Sequence, residues 1–188
     1  MRIPLNEVRP GDLLVFRGSG FVFNILGGIL KLFEPQYDRW GWHVAFVSNW
    51  DEEKGWLICE SISQGIVLSQ LSEHPPDEVR AYRWFETAPL QSMIDRYLVS
   101  HLGKQYDVAI YFWTTLQYLI RHYWNRRIPR LLDDRYTCWE NLTEFCEDMG
   151  KPIQTRYDCP ILTDILRALG KDSFRIGSSG IIFGGFAW

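Results

Sequence analysis

The stretch from His43 to Ser69 alternates short apolar runs with tight polar or glycine-containing turns, and that rhythm commits the region to antiparallel β-structure. His43-Val44-Ala45-Phe46-Val47 is rich in β-branched and aromatic residues, which predicts a buried strand. A polar turn is expected from Asn49 to Gly55, followed by strands over Trp56–Glu60 and Gly65–Ser69, which together make a meander. Upstream, the Pro10-Gly11-Asp12 turn introduces a first strand, Leu13–Phe16. Downstream, Glu73–Asp77, with its paired prolines, closes the hairpin, and Val79–Trp84 alternates well enough for one further strand.

The second half of the chain changes period. Pro89 stands near the start of a helix covering LQSMIDRYLVSHLG, which Gly103 ends. The segment YDVAIYFWTTLQYLIRHYW has apolar residues at helical spacing and predicts one or two helices packed on the sheet. Thr137 is an N-cap for a helix opening at Cys138, with Glu140 only loosely in the reciprocal position and Gly150 followed by Pro152 as the stop. A last helix is expected from Pro160 through Leu169, before the Gly-rich aromatic tail GIIFGGFAW. Strands followed by helices in a chain of 188 residues predict a single α+β domain over 1–188, an antiparallel sheet flanked by helices.

Charge and cysteine usage exclude several function classes. A formal net charge of -3 argues against a nucleic-acid surface, and the one basic cluster, Arg121 to Arg127, reads as a solvated helix end or loop rather than a patch for phosphate or anionic lipid. The apolar run from Gly20 to Phe33 is broken by Asn24 and Lys31 and falls short of the ~20 residues of a spanning helix. A buried or interfacial helix is expected there, with peripheral lipid contact as its functional corollary. The opening MRIPLNEVRPGD does not resemble a secretory signal, so a cytoplasmic location is the default expectation, with release or delivery to a cell wall as the alternative. Cys59, Cys138, Cys146 and Cys159 lack metal-like spacing, no other ligand motif is visible, and neither a metal nor another cofactor is expected. Cys59 and Cys146 are expected as buried apolar residues.

One pairing of residue types points to nucleophilic chemistry. A thiol attacks as thiolate, and a helix N-terminus beside an imidazole favours that form, so Cys138 at a helix start and His43 on a strand are the candidate nucleophile and base. Glu60 on the next strand is the candidate third residue, able to accept the far imidazole N–H; Gln64 is the second choice. Singly, a strand histidine is more often a core residue, and a buried Glu60 beside Arg83 would serve equally as a structural ion pair. His74 in a proline-flanked, exposed loop and His101 and His122 near helix ends compete for the base role, but none lies on a strand. Trp40 and Trp42 flank His43 as candidate cleft walls, and Tyr136 is close enough to Cys138 to offer a phenol to substrate.

These motifs resemble the permuted papain-like group of the NlpC-type superfamily, often called YiiX-like or YaeF-like. RPGDLLVFRG resembles its opening strand, WGWHVAFV its histidine strand, ICESISQGIVLSQL its acidic strand and hairpin, RYTCWENLTEF its cysteine helix, and GKQYDVAIYFW the segment before that helix. The similarity covers Val8 to Gly150. It implies a circularly permuted papain-like fold, with histidine before cysteine in the chain, Cys138 as nucleophile, His43 as base and Glu60 as orienting residue. The implied activity is a cysteine hydrolase, a peptidase or amidase cleaving a cell-wall peptide or related small peptide; lipid-directed acyl transfer on the same triad and a silent peptide-binding cleft are the alternatives. Relatives often carry serine after the cysteine, where this chain has Trp139, a bulky residue expected at the floor of the cleft.

Overall fold

A computed structural model describes residues 1–17, 43–105, 120, 137–154, 165 and 167–169. The described residues form an α+β structure with a mixed complement of helices and one antiparallel sheet. The strands are β1 (Arg2–Ile3), β2 (Leu13–Phe16), β3 (His43–Asp51), β4 (Gly55–Ile62), β5 (Gly65–Gln70) and β6 (Val79–Tyr82). They lie in the order β1-β6-β2-β3-β4-β5. Every neighbouring pair is antiparallel. Thus β3 to β5 form the expected meander, while β2 pairs with the other side of β3 and β6 pairs with the far side of β2.

The turn between β3 and β4 is shorter than the polarity of its residues predicts. The strand runs on through Asn49 and Trp50 to Asp51, with an irregularity between Val47 and Asn49. Trp50 and Trp56 are cross-strand partners with rings edge to face at 5.2 Å, and that contact extends the ladder through residues whose polarity favours a turn. Asp51 Oδ1 then accepts the backbone N–H groups of Glu53 and Lys54, closing the turn locally. After β5, the proline segment forms two short 3-10 turns, Leu71–Glu73 and Pro76–Glu78, pinned to the core by the buried Leu71.

Both faces of the sheet are covered, which explains why all four residues of β2 are buried. Leu13, Val15, Val44, Phe46 and Cys59 face one core, while Leu14, Phe16, Ala45, Val47 and Ile58 face the other, as the period-2 alternation of strands requires. Helices α1 (Gln91–His101) and α2 (Cys138–Asp148) cover the first face. Their contacts are made by Ile94, Tyr97, Leu98, Leu142, Phe145 and Cys146. Phe145 stacks on Phe46 of β3 with centroids 3.6 Å apart. The end of α1 is fastened to the edge strand by Ile66 N–H to Lys104 O at 3.0 Å and Gly103 N–H to Ile66 O at 2.9 Å. Gly65 permits this: its φ is +110°, and a Cβ there would lie 2.6 Å from the Lys104 carbonyl oxygen.

The helix expected over Gly20 to Phe33, the helical segment beginning at Tyr106 apart from Ile120, most of the helix from Pro160, and the aromatic tail lie outside the described residues. So do Trp40, Trp42, His122, Tyr136, Cys159 and the Arg121 to Arg127 cluster. Among the described residues, no helix is long and apolar enough to cross a membrane.

Candidate active site

The cysteine helix begins where its cap dictates. Thr137 has extended backbone angles, its Oγ1 accepts the Glu140 N–H at 3.1 Å, and Glu140 Oε2 accepts the Thr137 N–H at 3.0 Å. This is a complete reciprocal capping box, tighter than the loose match read from the sequence, and it fixes Cys138 as the first residue of the helix. Replacing Thr137 with alanine is expected to cost about 1 kcal/mol of stability in denaturant unfolding. Because the cap sets the position of the sulfur, the same variant should also change the pH dependence of Cys138 alkylation.

On the sheet, register brings the polar groups together. Ala45 pairs with Glu60, so His43 and Glu60 are diagonal neighbours on one face, within reach of two long side chains. His43 Nε2–H donates to Glu60 Oε2 at 2.7 Å. Glu60 is 3% exposed, and its carboxylate is held by partners instead of water. The same histidine is hydrogen-bonded to the side chain of Cys138. With Nε2 engaged by the carboxylate, Nδ1 is the ring nitrogen left for the sulfur.

This double engagement has a geometric cause. Cys138 belongs to the core on the helix side of the sheet, whereas Glu60 shares the opposite face with Ala45. The β3–β4 ladder ends at the Ala45–Glu60 rung, so His43, still paired with Phe16 of β2, stands beyond the last rung with β4. There its ring can meet one partner from each face. Sequence pattern placed all three residues on the right elements, but not this bridging position.

The charges follow from the contacts. Burial pulls the His43 pKa down, but the Cys138 and Glu60 side chains outweigh it and carry the value from 6.5 up to about 9. Burial pushes the Glu60 carboxyl up, yet the hydrogen bonds from His43 and Ser69, with the His74 imidazole close by, hold it well below the usual carboxylate range. Linkage then fixes the signs. The His43 contribution to stability is present in full below pH 6.5 and is lost as pH rises through about 9. The Glu60 contribution is present above pH 4.5 and is lost as pH falls through its depressed folded value. The thermal midpoint of the wild type, less that of His43→Gln, should therefore shrink between pH 6.5 and about 9. A difference that stays level across that range would contradict the pairing.

The remaining candidates fall elsewhere. Arg83 does not reach Glu60; its guanidinium pairs with the buried Asp12, Nη2 to Oδ2 at 3.2 Å. Gln64 is exposed in the β4–β5 turn. His101 is buried at the end of α1, stacked on Tyr97 and 3.4 Å from Glu144. Trp139, expected at the cleft floor, is 4% exposed and packs in the core cluster on the helix side of the sheet. Cys59 and Cys146 are buried as expected; burial pushes the Cys59 thiol up to about 12 and the Cys146 thiol higher than usual. Among the described residues no group of His, Cys, Asp or Glu is arranged to hold a metal ion.

His74 is the residue whose surroundings the sequence misrepresented. It was expected in an exposed loop, but its Nε2 is buried, 3.6 Å from Glu60 Oε1, with its ring 4.6 Å from that of Phe16. Ser69 was not singled out, yet its hydroxyl donates to the same Glu60 oxygen. The tight turn joining β4 to β5 was the available signal: Ile62 opposite Gly65 sets the register that makes Ser69 a diagonal neighbour of Glu60. No protein-family model matches the chain, and no curated protein matches it.

Proposed function

We propose that the protein is a cysteine hydrolase of circularly permuted papain-like architecture that cleaves an amide bond, with a cell-wall peptide or related small peptide as the substrate class. The observation that carries this reading is the imidazole of His43, bonded at once to the Cys138 side chain and to the Glu60 carboxylate. Glu60 fixes the tautomer and stabilises the imidazolium; an imidazolium beside a helix N-terminus favours thiolate.

The chemistry then runs in two halves. With the thiol proton already resting on His43 as a thiolate–imidazolium pair, the Cys138 sulfur attacks the amide carbonyl carbon, giving a tetrahedral oxyanion at the positive end of α2. Collapse breaks the C–N bond as His43 protonates the departing amine, leaving a thioester. Water, deprotonated by His43, attacks the thioester; the carboxylic acid departs and the thiolate–imidazolium pair is restored.

Incubation with peptide amides, followed by intact-mass measurement and digestion, tests this directly. An adduct on Cys138 with the mass of the acyl half, together with release of the amine half, is expected. Intact peptides and an unmodified Cys138 would overturn the assignment. One observation favours a second reading, a binding cleft without turnover: Cys138 has 0% exposed surface. On that reading Cys138→Ser binds peptide as tightly as the wild type and no adduct forms.

A further inference from the structure

Glu60 has two carboxylate oxygens and only one faces the imidazole. A buried carboxylate whose second oxygen is unsatisfied is costly to keep charged, and it relieves the cost by rotating or by taking a proton. Either response would withdraw the acceptor from His43. What occupies the second oxygen therefore matters as much as the pair itself.

Two side chains converge on it from different elements. Ser69, on β5, lies diagonally across the ladder from Glu60 because Ile58 pairs with Ser69 and Glu60 with Val67; its Oγ–H donates to Oε1. His74, in the loop after the first 3-10 turn, brings its buried Nε2 to 3.6 Å from the same oxygen, an ion-pair distance and not a hydrogen bond. Phe16 packs against both imidazoles, with its ring 5.3 Å from that of His43 and 4.6 Å from that of His74. Packing on Phe16, and the His74 N–H to Leu71 O bond at 3.2 Å, keep the loop histidine in place. Among the described residues, the groups that meet the Glu60 carboxylate are thus His43, Ser69 and His74, with Cys138 one step beyond His43.

We infer that Ser69 and His74 are positioning residues for the thiol reaction: together they hold Glu60 Oε1, so that Oε2 stays charged and aimed at His43. Both act on the reaction through the carboxylate. The inference rests on the Cys138–His43–Glu60 assignment and extends it to a five-residue array drawn from β3, β4, β5, the loop before β6, and α2. Sequence spacing hides it, because His74 reaches the carboxylate from outside the sheet.

The test measures Cys138 alkylation by iodoacetamide against pH in the full chain, with adducts located by mass mapping, alongside titration of the His43 imidazole by nitrogen NMR. Ser69→Ala and His74→Leu should each slow alkylation at pH 6.5 about threefold or more and lower the His43 titration midpoint, while Ser69→Thr, which keeps the hydroxyl, restores both. In a Glu60→Gln background the two substitutions should have no further effect, since they act through the carboxylate. Profiles that overlay the wild type, or effects that persist undiminished beside Glu60→Gln, would overturn the inference. If iodoacetamide does not reach the buried sulfur, the His43 midpoints decide alone. His43→Ala separates the two levels: if it leaves Cys138 reactivity unchanged, the underlying pair fails; if it lowers reactivity while Ser69→Ala and His74→Leu do not, only the positioning role fails.

Discussion

Replacing His43 with alanine is expected to lower the rate of Cys138 alkylation at pH 7 by at least about tenfold, because an unassisted thiol of pKa ~8.5 is only a few per cent thiolate there. The wild-type imidazole carries its proton up to about pH 9, so it offers a cation to the sulfur across the neutral range. Without it, the reactivity profile should take the shape of an isolated buried thiol, rising only in base. On the proposed mechanism, amide hydrolysis should fall further, by roughly 10³-fold, since there the same residue would also protonate the leaving amine. Glu60→Gln should fall between the two: the amide side chain still accepts one hydrogen bond but supplies no charge. Retention of wild-type alkylation by His43→Ala would detach the histidine from the cysteine altogether.

Phe145→Ala is expected to be the most destabilising single substitution in the helix–sheet contact, costing about 3–5 kcal/mol, or roughly 6–20 °C in Tm for a chain of this size. The side chain is fully buried. It is stacked on Phe46 at 3.6 Å and meets Tyr97 and Phe85 edge-on at 5.4 Å and 6.1 Å. Truncation removes an aromatic ring from the middle of three others, and neither β3 nor α1 can move in to fill the space, because each is tied to its own ladder or loop. The effect should reach the site, since Phe145 and Cys138 share the same helix. Calorimetry measures the first consequence, and the pH dependence of Cys138 alkylation at a temperature where the variant is folded measures the second. Phe145→Leu, which preserves much of the volume, should recover most of both.

The parts of this molecule that rest on local chemistry were legible in the residues. Alternation and β-branched content placed Leu13–Phe16, His43–Val47 and Gly65–Ser69 on strands, and Thr137 with Gly150 bounded the cysteine helix, because propensity, capping and turn geometry act over a few neighbouring residues. The errors came where tertiary contact outweighed local preference. Asn49 to Asp51 read as a turn and are strand, since a tryptophan pair across the ladder holds them extended. His74 read as solvent-exposed and is set against Glu60, since Phe16 and Leu71, distant in the chain, draw its loop onto the sheet.

The sequence by itself determined which candidate groups the chain carries and on which kind of element each sits: an imidazole on a strand, a carboxylate on the next, a thiol at a helix start. Only the tertiary structure decided that they meet. The strand register set Glu60 diagonal to His43, and the packing of Phe145 on Phe46 set the helix that opens at Cys138 against β3, where His43 bonds the cysteine side chain. Reactivity is a property of functional groups, while proximity is a property of packing summed over the whole fold, and no short window of residues contains it.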